Sequence, residues 1–171
     1  MDEAELTIER LGAPVLRESA PLVEAVDEDT RRLVRRMFTT MYGSNGQGLA
    51  APQVGVSRRL AIVDVPPREG PSYVLVNPRI VSASEERVRS VEGCLSIPGV
   101  RANVERPARV VVEATDLEGR PVRLEADGEL ARCLQHELDH LDGVLYPDRL
   151  SPLARRMLLN RYRKLQRKTR S

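Results

Sequence analysis

Apolar residues first recur at helical spacing in Leu33, Val34, Met37, Phe38 and Met41, behind the acidic start Asp27-Glu28-Asp29 and ahead of Gly43. The spacing predicts a helix opened by Asp27 and closed at Gly43, with its acids at the positive end of the dipole. A methionine stripe at this period reads as core packing, with a soft metal-ligand pair as the alternative. The first 26 residues, interrupted by Pro14 and Pro21, read as an irregular arm. After Gly43 the run Ser44-Asn45-Gly46-Gln47-Gly48-Leu49-Ala50-Ala51-Pro52-Gln53-Val54-Gly55 reads as a loop whose glycines allow backbone to approach a ligand closely. It is no phosphate cradle, because it lacks the Lys-Ser/Thr pair and Ala51 holds the third glycine position of a dinucleotide fingerprint.

Further along, β-rich runs at residues 60–65 and 73–76 predict strands, separated by Pro66-Pro67 and Glu69-Gly70-Pro71. Residues 109–115 and 121–125 read as a hairpin turned by Asp116-Leu117-Glu118-Gly119. Asp127 is placed to cap a second helix reaching about Leu141 and stopping near Gly143. Ser151-Pro152 opens a third, a cap followed by proline at the first helical position. That helix carries Leu153, Met157, Leu158 and Leu165 on one side, with Arg155, Arg156, Arg161, Arg163, Lys164, Arg167 and Lys168 over much of the rest. The order helix, strands, helix, helix predicts a single α+β domain over residues 1–171. Its antiparallel strands would pack around the second helix, with one helix N-terminal and one C-terminal to them.

Composition adds two constraints. With no Trp, one Phe and four Tyr in 171 residues, the core must rest on Val, Leu, Ile and Ala. The net charge of +2 offers no global attraction for DNA, yet the basic residues gather in the last helix. That helix could dock on RNA, or simply present a solvated charged face. No stretch approaches the ~18 apolar residues of a membrane span. The acidic start Met1-Asp2-Glu3-Ala4-Glu5 does not look like a signal peptide. Cys94 and Cys133 could form one disulfide at most, and a cytoplasmic setting with free thiols is expected.

The chemistry concentrates in His136-Glu137-Leu138-Asp139-His140, which uses both histidines of the chain. Residues four apart share one helix face, so both imidazoles can reach one ion while Glu137 stands beside it as a proton carrier. A catalytic site needs a third protein ligand. Downstream of His140 the only acids are Asp142 and Asp148, so the usual third ligand of a zinc peptidase is missing. Cys133 lies on the motif helix, but about 10 Å of axial rise separates it from His140, so it reads as a packing residue beside the site. Cys94, in the distant segment Glu92-Gly93-Cys94-Leu95-Ser96-Ile97-Pro98-Gly99, escapes that restriction, with a structural thiol as its alternative. Glu92 could orient another group with Arg101 or Arg106 as partner, or form a surface ion pair.

Three segments together resemble the peptide deformylase family: Gly46-Gln47-Gly48-Leu49-Ala50-Ala51-Pro52-Gln53, Glu92-Gly93-Cys94-Leu95-Ser96 and Gln135-His136-Glu137-Leu138-Asp139-His140. The likeness covers nearly the whole chain, and the trailing helix is similar to that of the bacterial class with a helical C-terminus. The resemblance implies removal of the formyl group from the N-terminal formyl-methionine of nascent polypeptides, with release of formate. It implies Cys94, His136 and His140 as ligands of one divalent metal, usually Fe(II), with Zn, Ni or Co able to take its place. It implies Glu137 as the acid–base, and Gln53 with the Leu95 amide as donors to the carbonyl oxygen. Gly48 would approach the substrate, and Cys133 would help line the methionine pocket. It also implies a ribosome contact through the basic last helix. Glu129 and Arg132 depart from the pattern, standing where many members carry apolar residues; they would face solvent or form a polar pocket rim. The rival readings are a zinc-type peptidase using the same helix, a non-enzymatic RNA- or ribosome-binding domain, and a metal-stabilised structural protein.

Overall fold

The computed structural model describes residues 3–170; Met1, Asp2 and Ser171, at the two ends of the expected domain, lie outside the described residues. Helix α1 (Glu28–Gly43) begins where the Asp27 carboxylate accepts a hydrogen bond from the Thr30 amide. Its stripe Val34, Met37 and Met41 is buried against Leu49, Leu60, Ile62 and Val76, which makes the methionines core.

Five strands form one antiparallel sheet in the order β1-β2-β3-β6-β7: β1 (Gly48–Ala50), β2 (Leu60–Asp64), β3 (Ser72–Ala83), β6 (Arg109–Thr115) and β7 (Pro121–Asp127). The last two pair in register from Arg109↔Asp127 to Thr115↔Pro121, as the hairpin predicted. Gly48–Ala50, expected as loop, is an edge strand paired with Ala61–Val63, and a 3-10 turn over Ala51–Val54 follows it. Strand β3 runs seven residues beyond the expected 76, with two register shifts against β6.

A second sheet of two strands, β4 (Arg87–Cys94) and β5 (Ile97–Pro107), was not anticipated. Arginines, two glycines and two prolines interrupt its apolar pattern, and Val88 and Val91 are exposed, so neither strand shows a clean buried face in sequence. Pairing runs regularly from Arg87↔Pro107 to Glu92↔Ala102, then shifts before Cys94↔Ile97. Such irregularities re-aim side chains, and this one falls at Gly93.

Helix α2 (Gly128–Leu141) carries the histidine motif. Asp127 holds its N-cap position but makes no side-chain capping bond, so that part of the expectation fails. Ala131, Leu134 and Leu138 pack on Val63, Leu75, Val110, Val112 and Ala126 of the five-stranded sheet. Helix α3 (Pro152–Arg170) is capped by the Ser151 hydroxyl, which accepts from the Ala154 amide. It buries Leu158 and Tyr162 against Ile97, Val100 and Val104 of β5, with Leu165 alongside. Leu153 and Met157, expected on the same packing side, are 58% and 57% exposed. The seam follows i, i+4, i+7 spacing from Leu158, which turns those two residues away from the hairpin. No helix among the described residues is long and apolar enough to cross a membrane.

Candidate metal centre

Helix α2 presents its polar residues in two stripes. Cys133, Glu137 and His140 follow i, i+4, i+7 spacing, and Arg132, Gln135, His136 and Asp139 follow i, i+3, i+4, i+7. The helix thereby brings His136 Nε2 within 3.2 Å of His140 Nε2. The hairpin β4–β5 brings Cys94 Sγ within 3.4 Å of His140 Nε2. All three donor atoms lie within 4.8 Å of one another. Bonds of about 2.0–2.1 Å to nitrogen and 2.3 Å to sulfur set tetrahedral ligand atoms roughly 3.3–3.7 Å apart. The two measured separations match that spacing closely, so these residues fit a single divalent ion. Burial drives the His140 pKa well below its usual value, which keeps that ring neutral as a ligand requires.

Cys133 takes no part in this cluster. Its Sγ lies 3.6 Å from the Gln47 carbonyl, and burial pushes its thiol pKa well above the ordinary value. It packs instead against the apolar cluster between α2 and the sheet, as the packing reading requires. The two downstream acids are also engaged elsewhere. Asp142 pairs with Arg59 at 2.8 Å, and Asp148 binds Arg17 and the Leu145 amide. Neither supplies the third ligand of a zinc peptidase.

Glu137 is 4% exposed, and its Oε1 has no hydrogen-bond partner among the described residues. Burial pushes its carboxyl up to about 7. A pKa near neutrality suits a group that must both take and give a proton, although a cation beside it would lower that value. Gly48 on β1 makes room for it: a Cβ there would lie 2.5 Å from Glu137 Oε2 and 2.7 Å from Cys133 Sγ. Gln53 is oriented by the Ala50 amide, which donates to its Oε1. Its Nε2 is thereby turned towards Ser96 Oγ at 3.2 Å and Cys94 Sγ at 3.6 Å. Gly48, Gln53, Cys94, Leu95, Cys133, His136 and Glu137 all border one cleft of about 630 Å³.

Behind His136 stands a buried carboxylate. Glu92 Oε1 accepts from His136 Nδ1 at 3.0 Å, which leaves Nε2 as the free lone pair. Arg106 grips both Glu92 oxygens, at 2.6 and 3.0 Å, and Arg132 adds a bond of 2.6 Å. Burial alone would raise the Glu92 carboxyl, but the hydrogen bonds from His136 and Arg106 outweigh it and hold it at about 2. The surface-pair reading of Glu92 therefore fails, and Arg106, rather than Arg101, is its partner. The stem of Arg101 instead crosses Gly93. Glu129 is exposed at the cleft margin, whereas Arg132 is 8% exposed with its guanidinium turned inward. Sequence reasoning missed Asp139, which joins Arg106 to Arg149, and Ser96, which receives Gln53. Their places inside the two motifs were the only signal.

The HExxH helix and a Cys-His-His donor set able to hold one ion are the features of a metal-dependent hydrolase. Comparison with known proteins gives the family. The profile described as polypeptide deformylase matches residues 5–156. The peptide deformylase of Rhizobium meliloti (strain 1021) is 51% identical over 154 residues, covering 88% of each chain. That of Chromohalobacter salexigens is 48% identical over 164 residues, covering 96% of each. The crystal structure of a Legionella pneumophila peptide deformylase superposes with a TM-score of 0.92 at 43% identity, covering 97% of this chain and 98% of that one. A Synechococcus elongatus peptide deformylase in complex with actinonin gives 0.88 at 44% identity, covering 94% and 89%. The chain belongs to the polypeptide deformylase family, metal-dependent enzymes that remove the formyl group from the N-terminal methionine of nascent polypeptides.

Proposed function

We propose that Cys94, His136 and His140 hold the catalytic metal of this deformylase and that Glu137 moves the proton. The observation that carries the reading is the buried Glu137 Oε1, without a hydrogen-bond partner among the described residues, in the cleft that Cys94 and His136 also line, with the His140 donor atom converging on theirs. A divalent ion in that donor set supplies Lewis acidity, lowering the pKa of water towards neutrality. Glu137 takes the proton as water adds to the formyl carbon, and returns it to the amine nitrogen as the C–N bond breaks. Formate and a free N-terminal methionine leave. Negative charge gathers on the formyl oxygen during addition, and the reading assigns Gln53 Nε2 and the Leu95 amide as its donors. Gly48 lets the substrate backbone come close, and Cys133 lines the wall that takes the methionine side chain. The reading expects formyl to be favoured over acetyl by size, since the formyl carbon bears only hydrogen.

One thiolate and two imidazoles suit Fe(II), Zn, Ni or Co alike, and Fe(II) is the ion this reading favours from the family resemblance. The reading places the enzyme in the cytoplasm as one catalytic domain over residues 1–171, acting on chains as they leave the ribosome. The basic face of α3 is the surface it offers to ribosomal RNA. Formate release from formyl-methionyl peptides by anaerobically purified protein, with metal analysis of the same sample, tests the reading. Turnover that tracks one equivalent of bound metal is expected. Cleavage of internal peptide bonds without formate would sink it.

A further inference from the structure

Arg132 lies one helical turn before His136 and is nine-tenths buried, an unusual place for a guanidinium. Arg132 borders the cleft together with Val91, Glu129 and Cys133. Its guanidinium is bound to the hairpin. One terminal nitrogen donates to Glu92 Oε2 at 2.6 Å and to the Val104 carbonyl at 2.9 Å; the other donates to the Val88 carbonyl at 2.7 Å. Val88 and Glu92 belong to β4, and Val104 to β5. A single side chain of α2 therefore ties both strands of the hairpin and the carboxylate that orients His136. Arg106 cannot replace it. Arg106 projects from the hairpin itself and reaches α2 only at Asp139.

We propose that Arg132 is a positioning residue of the metal centre. It fixes Glu92, and through Glu92 the His136 ring, while its methylene stem forms part of the cleft wall. The proposal rests on His136 being a metal ligand, as set out under the proposed function. A guanidinium suits the task because its rigid fork serves three acceptors from two nitrogens, whereas an ammonium is a single point. With the guanidinium engaged by the hairpin, the apolar stem is the part left to the cleft, which reconciles a charged residue with a pocket meant for methionine.

The test is the rate at which the zinc form of the whole chain loses its ion to a chromogenic chelator, together with the visible spectrum of the Co(II) form. Neither readout requires deformylase activity, so this proposal can fail while the functional reading stands, and the reverse. Arg132→Met keeps the stem and removes the fork. It is expected to release zinc about tenfold faster, within the range for loss of groups that orient metal ligands, and to shift the Co(II) bands. The KM for a formyl-methionyl peptide should stay within about twofold while kcat falls, because the wall is kept and the ring is loosened. In a Glu92→Gln background the same substitution should add little to the release rate. Wild-type zinc retention and an unchanged Co(II) spectrum in Arg132→Met would overturn the proposal, as would full additivity with Glu92→Gln. If the methionine variant does not fold, Arg132→Lys decides. Its release should be about threefold faster, since one ammonium cannot serve Glu92 and both carbonyls, and wild-type retention there overturns the proposal equally.

Discussion

Helix α2 meets the five-stranded sheet and the hairpin through unlike surfaces. Against the sheet it offers Ala131, Leu134 and Leu138, which interlock with Val63, Leu75, Val110 and Val112. Against β4–β5 it offers Arg132, Gln135, His136 and Asp139, which meet Glu92, Arg106 and the carbonyls of Val88, Val104 and Pro107. Apolar burial is strong but non-directional, so the first surface settles where the helix lies. Hydrogen bonds between buried charges contribute little net stability, yet they fix angles. The second surface therefore settles where the His136 ring points. A metal centre needs both, and the chain divides the two tasks between adjacent stripes of one helix.

The largest effect should come from a residue outside both surfaces. Glu137 faces the cleft, and Glu137→Gln keeps shape while removing the carboxylate. Formate release should fall by about 10²–10⁴, the range for a positioned acid–base, with metal content and fold unchanged. Wild-type turnover in that variant would end the proposed role. Next comes the contrast between the cysteines. Cys94→Ala removes a donor atom from the cluster, so the purified protein should lose most of its metal. Cys133→Ala, outside the cluster, should keep a full equivalent. Metal analysis of the two decides, and the opposite pattern would exchange their roles.

The division between the surfaces also decides how much was legible beforehand. The apolar surface was readable, because Leu134 and Leu138 recur at helical period and the strands at residues 60–64 and 109–115 carry plain β-rich runs. The His-Glu spacing was readable too, since helix geometry alone brings residues 136 and 140 together. The hairpin was not. Strand β4 exposes Val88 and Val91 and buries Glu92, while the buried Ile97, Val100 and Val104 of β5 fall three and four residues apart around Pro98 and Gly99, so no alternating period marks either strand. Arg106 and Glu92 stand 14 residues apart and pair at 2.6 Å across that hairpin, a contact that no local pattern encodes. For the same reason Arg132 read as either a solvent residue or a polar rim; it is buried, borders the cleft and gives its guanidinium to the hairpin.

The smallest predicted effect separates the surfaces directly. Leu134 is fully buried against the sheet, and Leu134→Ala should cost about 2–5 kcal/mol of stability through lost contacts and the cavity left behind. Because it touches only the surface that places the helix, the Co(II) spectrum of the folded fraction should stay that of the wild type. Asp139→Asn does the reverse. It leaves the apolar stripe intact but weakens the tie from Arg106 and Arg149. Arg106 is 4% exposed, so it would keep Glu92 but lose its second carboxylate. The expected outcome is a shift in the Co(II) bands and a modest rise in zinc release, about threefold at most on the scale of ligand-orienting contacts. Loss of stability should be smaller than for Leu134→Ala, because Arg106 retains its bidentate bond to Glu92. Chemical denaturation and the Co(II) spectrum, measured on both variants, give a crossed pattern if the tasks are divided. Parallel losses in both readouts would show instead that one continuous packing surface places the helix and aims the ring together.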